Sequence, residues 1–492
     1  MNKVFLFIVG VSILLVLCGC ENSTASVPSQ ESAAQSKEND LTLENGVICN
    51  YSKLVDGSRG HTLYYLETDG TLYGWGKNYN YLLGLPIPEQ YYSYKPIVLA
   101  TDAADVVCNL FTTYILKTDG TLWVLGYYEH ATDGSDYVGS WTQIAEDVKQ
   151  LRSGGSGRNI CGVLKQDGSL YVLGSTYAGN VSLVRSNVEI DEFVLRPADT
   201  GVDRLGGIHI EYFGNTIESQ SQVNVGVRYT VGYFKDGAYW QAIENKDGSF
   251  TLQKLVDSNV AQVQNVSRFD FYIDLEENLC SAKKGTIIAE DVTSFLSGTE
   301  GSCIFVTKDH KLWEIGMTTL PVDGDYVVYE EPNFLSEGVV KIYNASDTAA
   351  LTYYILKTDG TLWCWGVNGF GLLGNGTVTA EIARDNDLIP EGTPVEDVCD
   401  EITQVLNISK VRDFCYSTQV KVAVTKSGER YIWGVNPYYR AYTDSTSEKN
   451  SPHAEYSEDR STVPTPAHVF REDFLLVPTT WTEAFEKYGY EK

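Results

Sequence analysis

One hairpin word recurs along this chain, and a recurring hairpin restricts the available folds more than any other feature of the sequence. Its fullest copy is Leu356-Lys357-Thr358-Asp359-Gly360-Thr361-Leu362-Trp363-Cys364-Trp365-Gly366. Asp-Gly predicts a tight turn, because glycine takes a positive φ without steric cost. The β-branched, aromatic and aliphatic residues on both sides predict two strands. Leu66 to Gly76 is an early copy, Leu116 to Leu122 repeats the words Leu-Lys-Thr-Asp-Gly-Thr-Leu unchanged, and Leu164 to Tyr171 is a variant. Gly428 in Lys426-Ser427-Gly428-Glu429 continues the series. Degenerate copies lie at Phe234 to Trp240, Asp274 to Leu279 and Thr307 to Trp313. A strand-rich unit of about fifty residues suits a propeller blade of four strands.

The words Asp-Gly-x-Leu-Trp/Tyr, Trp-Gly-x-Asn and Gly-x-Leu-Gly resemble those of the regulator-of-chromosome-condensation (RCC1-like) repeat family. Gly371-Leu372-Leu373-Gly374 stands where that family has Gly-Gln-Leu-Gly, and Tyr81-Leu82-Leu83-Gly84 is a copy without its first glycine. The resemblance spans roughly Gly46 to Phe474. It is strong around Gly70, Gly120, Gly168, Gly360 and Gly428 and thin from Val181 to Ala289. It implies an all-β fold, a β-propeller of seven blades. Eight turn anchors are present, so seven blades require one anchor between Gly237 and Glu277 to be a long hairpin inside another blade. Seven is the expectation and eight the alternative. Open sheet edges are a liability, so the ring is expected to close through both termini, with Ile48 to Val55 and Ala467 to Val477 sharing a blade. Val181 to Val231, Ala380 to Asp400 and Arg440 to Pro466 read as irregular or inserted stretches, which propeller rims tolerate.

Lys3 and the apolar run Val4 to Val16 lead into Leu17-Cys18-Gly19-Cys20, which resembles the lipobox of bacterial lipoprotein signal peptides. The resemblance implies a signal peptide over residues 1–19, removed before a lipidated Cys20. Residues 20–40 are serine-rich and free of aromatics, and form a flexible tether of roughly 25 Å mean span. The propeller takes residues 41–478. Residues 479–492 form a tail, in which Thr480-Trp481-Thr482-Glu483 reads as a capping box for a short helix. The expected location is the cell envelope, anchored by lipid to the outer face of a bacterial membrane.

The formal net charge of −28 argues against nucleic-acid partners, which need an electropositive surface. It also disfavours an anionic membrane face, so the membrane is met through the lipid on Cys20 alone. No cofactor is expected. Gly369 to Gly374 matches a dinucleotide fingerprint in form, but Asn375-Gly376-Thr377 stands next in place of the helix that a pyrophosphate needs. No metal is expected either. His61, His130, His209, His310, His453 and His468 are scattered. Asp385-Asn386-Asp387 and Asp133 to Asp136 lack the twelve-residue calcium loop and read as solvated loops. No nucleophile elbow is present. Cys49, Cys108, Cys161, Cys280, Cys303, Cys364, Cys399 and Cys415 sit mostly in apolar strand patterns and read as free buried thiols, with Cys399 and Cys415 the pair to test for a disulfide. Trp75, Trp123, Trp313, Trp363, Trp365 and Trp433 read as blade packing. The glycines after them, from Gly76 to Gly434, read as points of close chain approach.

Without a catalytic constellation, the chain reads as a non-catalytic, monomeric, surface-anchored propeller that binds an envelope or extracellular macromolecule, a protein first of all. Members of the resembled family serve as exchange factors, chromatin binders and, among secreted bacterial proteins, β-lactamase inhibitors. The alternative is an envelope enzyme or carbohydrate-binding protein that acts on glycans. The candidate binding face lies just after the strand-ending glycines: Tyr79, Tyr81, Tyr127, Tyr128, Tyr177, Phe370, Tyr438 and Tyr439. Tyrosine buries area at low entropic cost and is enriched where partners dock. The other reading is that these rings pack down on their own loops.

Overall fold

The computed structural model describes residues 53–469, apart from 58–61, 79–81, 86–91, 109–111, 129–135, 154–159, 175–176, 179–193, 214–225, 246, 265–268, 299–300, 321–325, 346–351, 369–371, 378–393, 418–419 and 436–461. Cys20, the tether and the 479–492 tail lie outside the described residues.

The chain forms eight antiparallel sheets in sequence order, each built from one contiguous segment but for a strand lent to the fourth sheet from within the third. Blade 1 comprises Lys53–Gly57, Thr62–Leu66, Leu72–Lys77 and Tyr92–Ala100. Blade 2 comprises Ala103–Cys108, Thr112–Lys117, Leu122–Tyr128 and Asp136–Ala145, and blade 3 Val148–Ser153, Ile160–Lys165, Leu170–Gly174 and Arg196–Asp199. Blade 4 comprises Arg204–Phe213, Gly226–Lys235, Ala238–Glu244 and Phe250–Val256, with Tyr177–Ala178 added as a fifth strand. Blade 5 is the smallest: Val260–Gln262, Phe271–Asp274, Leu279–Ser281 and Ile287–Ala289. Blade 6 comprises Val292–Ser297, Cys303–Thr307, Lys311–Met317 and Val328–Glu337, and blade 7 Val339–Asn344, Thr352–Lys357, Leu362–Val367 and Val398–Gln404. Blade 8 comprises Val411–Tyr416, Val420–Thr425, Arg430–Val435 and Thr462–Val469.

Eight blades correct the expectation of seven. The anchors at Gly237 and Glu277 belong to separate blades. Blade 5 makes its hairpin at the degenerate copy Asp274 to Leu279, from strands of only three and four residues. Of the end segments expected to share a blade, residues 48–52 and 470–477 lie outside the described residues. Lys53–Gly57 pairs with Thr62–Leu66, and Thr462–Val469 pairs with Arg430–Val435 in a different sheet. Among the described residues the two ends meet by packing. Leu54, Leu63, Tyr65 and Trp75 of blade 1 share one buried cluster with Val411, Phe414, Val422 and Trp433 of blade 8.

First strands lie innermost and pack on one another between blades 1 and 2, 2 and 3, 3 and 4, 6 and 7, and 8 and 1. Polar groups stitch several of these contacts. Lys53 Nζ reaches Asp105 Oδ1 at 2.6 Å and Val106 O at 2.7 Å. Leu205 N donates to Gln150 Oε1 at 2.8 Å, and Arg204 Nη2 to Ala261 O at 2.5 Å.

The repeated hairpin word forms a latch between blades. Gly70, Gly120, Gly168, Gly237, Glu277, His310, Gly360 and Gly428, one per blade, all have positive φ. That conformation turns a carbonyl toward the next blade. Gly70 O accepts from Ala103 N at 3.0 Å, Gly120 O from Val148 N at 2.9 Å, and Gly360 O from Val411 N at 2.9 Å. The same bond joins Gly168 to Val202, Glu277 to Val292, and His310 to Val339. The aspartate closes the turn: Asp359 Oδ1 accepts from Thr361 N and Oγ1, and Thr361 Oγ1 in turn accepts from Trp363 Nε1. Asp119, Thr121 and Trp123 repeat the arrangement in blade 2.

Candidate functional site

Strand direction sorts the connections onto two faces. The Asp-Gly turns and the links from one blade to the next share one face, the turn face, where the links are one to six residues long. The connections between first and second strands and between third and fourth strands open on the opposite face, the loop face. The longest ones are there, running from Asn368 to Asp397 in blade 7 and over 436–461 in blade 8. Each third strand of blades 1, 2, 6, 7 and 8 carries a positive-φ glycine one or two residues before its end: Gly76, Gly126, Gly316, Gly366 and Gly434. Beside each the fourth strand carries two extra residues. Gly74 pairs with Ile97 but Gly76 with Ser93, and Cys364 pairs with Thr403 but Gly366 with Cys399. Such bulges bend a strand and re-aim the chain beyond them. Backbone conformation therefore accounts for these glycines at least as much as close approach does. Gly316 needs both, since a Cβ there would lie 2.6 Å from Gly301 O.

Of the expected binding residues, Tyr79, Tyr81, Phe370, Tyr438 and Tyr439 lie outside the described residues. Tyr127 and Tyr128 end the third strand of blade 2, paired with Tyr137 and Asp136. Tyr177 leaves its own blade and pairs with Arg228 of blade 4.

That pairing marks a feature the sequence hid. The first two strands of blade 4 are ten residues each, and pair from Arg204–Phe234 out to Phe213–Gly226. The third strand matches only the Val231–Lys235 end, and Tyr177–Ala178 takes its place beside Val227 and Arg228. A three-stranded ridge therefore stands on the loop face, in the stretch expected to be least regular. Its base is a dense aromatic packing. Tyr239 OH lies 2.6 Å from His209 Nε2 and accepts from Gly207 N at 3.1 Å. Its ring stacks on Phe269 at 5.0 Å. A Cβ at Gly232 would fall 2.0 Å from that hydroxyl, so glycine is required there. Burial pushes the Tyr239 hydroxyl well above its ordinary pKa. Arg196 bridges blades 3 and 4 through Glu244 Oε1 at 2.7 Å and Gly174 O at 2.6 Å.

Blades 1 and 7 hold their loop-face connections in a common way. Asn78 Oδ1 accepts from Leu83 N at 2.8 Å, and Asn78 Nδ2 donates to Leu85 O at 2.8 Å. Asn368 Oδ1 accepts from Leu373 N at 3.2 Å, and Asn368 Nδ2 donates to Thr377 Oγ1 at 2.7 Å. The leucines they fix plug the seam to the next blade. Leu372 O accepts from Tyr354 OH and from Trp433 Nε1 across the seam. The Gly-x-Leu-Gly word is thus a packing device. In blade 6, Glu314 takes over as clamp, bonded to Thr319 N at 2.8 Å and Asn333 Nδ2 at 3.3 Å, with burial pushing its carboxyl up. Apolar side chains stand exposed where the connections rejoin their fourth strands: Val194, Tyr326, Val328, Val395 and Val398.

Among the described residues no group of three or more His, Cys, Asp or Glu side chains could hold a metal. Among the described residues Cys108, Cys161, Cys280, Cys303, Cys364, Cys399 and Cys415 are buried and form no disulfide, the pair Cys399 and Cys415 included. Burial pushes the Cys161 thiol up to about 12 and Cys280 to about 11, the reverse of what a thiolate nucleophile needs.

No protein-family model matches the chain, and no curated protein matches it. Solved structures do. Yeast RCC1 (Prp20), in a structure with Kap60 bound, is 16% identical with a TM-score of 0.47, covering 92% of this chain and 91% of that one. Prp20p from Saccharomyces cerevisiae, described with its binding to Gsp1p and histones, is 16% identical with a TM-score of 0.44, covering 85% and 90%. Human WBSCR16 is 12% identical with a TM-score of 0.33, covering 86% and 82%.

Proposed function

We propose that this chain is a surface-anchored, non-catalytic propeller that binds an envelope or extracellular protein through its loop face. One observation carries the reading: every long connection, the blade 4 ridge and a set of exposed apolar side chains fall on one face, while the other is closed by short latched turns. A rigid scaffold that displays variable connections on one side is a common plan for recognition. Lipid on Cys20 supplies the anchor, and the aromatics after the strand-ending glycines supply contact area. In the test, mature Tyr79→Ala/Tyr438→Ala protein is compared with wild type for partner capture from the producing cell's envelope and secreted fractions. The expected result is an unchanged melting temperature with specific capture lost. A double variant that loses stability, or still captures everything the wild type does, removes those residues from the face. Cys20→Ala should leave the membrane fraction or remain unprocessed; maturation and fractionation like wild type would remove the anchor.

A further inference from the structure

The strand directions fix where the chain enters and leaves the ring. Lys53 pairs with Leu66, the last strand residue before the Asp69-Gly70 turn. Val469 pairs with Arg430, the first strand residue after the Gly428 turn. Residues 1–52 therefore join the body on the turn face, and they join it at an innermost strand, beside the ring axis. The junction is pinned. Lys53 is held by the Asp105 carboxylate, itself 1% exposed, and by Val106 O.

From this placement we propose that the anchored protein stands with its turn face toward the membrane and its loop face displayed outward, so that its partner is a soluble protein or one on an opposing surface. This rests on the lipid anchor at Cys20 proposed above. Thirty-two residues separate Cys20 from Lys53. A coil of that length would span roughly 30 Å on average. A body of this size has a radius of about 28 Å. To bring the loop face to the membrane, the tether would have to run from the axis, across the turn face and down the side. That path is roughly 60 Å, about twice the mean span of the coil. It lies within the contour length of about 110 Å, so the inverted posture is reachable but rare.

The test separates posture from lipidation. The mature chain with Cys49→Ser is coupled through Cys20 to a maleimide phospholipid in phosphatidylcholine vesicles that carry acceptor-labelled headgroups. A short enzymatically labelled donor tag is inserted either in the 245–249 connection on the loop face or in the 426–429 turn on the turn face. Variants that melt like the parent are compared. Energy transfer should be several-fold greater from the turn-face tag. Equal transfer from both tags, or greater transfer from the loop-face tag, would overturn the posture. If either insertion unfolds the protein, the pair moves to the 282–286 connection and the 275–278 turn. Absence of lipid on Cys20 in the native cell would remove the anchor reading and leave the vesicle measurement unchanged.

Discussion

At the scale of single residues the turn face is a set of backbone solutions that differ from blade to blade. Gly360 sits at φ +82° with Lys410 Cα 2.8 Å from where a Cβ would be. Gly360→Ala should therefore cost about 1–3 kcal/mol, read as a shift in the urea midpoint. Lys410 itself has φ +55° in the place that Gly338 fills in the preceding blade. Lys410→Gly should stabilise by ~0.5–1 kcal/mol, since the left-handed backbone costs lysine more than the extra chain entropy costs glycine. A loss of stability on that change would show the lysine to be under no strain. The turn carboxylates carry a pH signature. Thr121 and Thr361, through hydroxyl and amide, hold Asp119 and Asp359 below the usual carboxylate range. A depressed folded pKa gives stability that is complete above the unfolded value of about 3.9 and is lost as pH falls through the folded value. Asp119→Asn/Asp359→Asn should lower the melting temperature at pH 7 and flatten its fall below pH 4. An unchanged slope would show that these turns do not sense acid. The turn words were legible because a positive-φ latch needs glycine or a short polar residue. Glu277 and His310 fill the same place without glycine, and their copies of the word were legible only in degenerate form.

At the scale of elements, the loop plugs decide how tightly neighbouring blades seat. Leu373 is fully buried and anchored by Asn368. Leu373→Ala should cost about 2–5 kcal/mol, and Asn368→Ala about 1–3 kcal/mol through the buried groups it leaves unpaired. Both are measurable by denaturant unfolding, and near-neutral values would mean that the plug is dispensable. Blade 6 shows the converse. Its third strand leads into Thr318, Thr319 and Leu320 with no Leu-Leu-Gly plug, and the Trp365 indole N–H facing it has no partner among the described residues. The eight turn anchors were legible in the sequence, and the expectation of seven blades came from the resembled family. Blade 5 was the anchor easiest to set aside, because it has Cys280 where the other third strands carry Trp or Tyr beside the turn, and its strands are of three or four residues. The ridge on blade 4 was illegible for another reason. Its outer half pairs with Tyr177–Ala178, which the chain supplies from about fifty residues upstream, and no local pattern encodes a partner at that distance.

At the scale of the whole molecule, the expectation of shared end strands came from a sound rule about open edges, and among the described residues blades 1 and 8 meet through a common buried cluster. Each blade begins innermost and ends outermost on the same face, so blade 8 meets blade 1 as any blade meets its neighbour. The ring should therefore tolerate permutation. Val469 joined to Lys53 by a linker of two to six residues, with new ends between Asp257 and Ser258, should fold and melt cooperatively within a few degrees of the parent body. Failure to fold would mean that the last seam differs from the rest. The order of the blades along the chain also has a consequence for biosynthesis. A chain that emerges N-terminus first can seat each new blade on one already made, except for the face of blade 1 formed by Leu54, Leu63, Tyr65 and Trp75. That face waits for Val411 and Phe414. At ordinary elongation rates the delay is roughly 20–70 s, during which an adhesive aromatic surface is bare. The nascent protein is thus most vulnerable to wrong association at its oldest part, and a chaperone that shields one narrow flank for that interval would suffice to protect it.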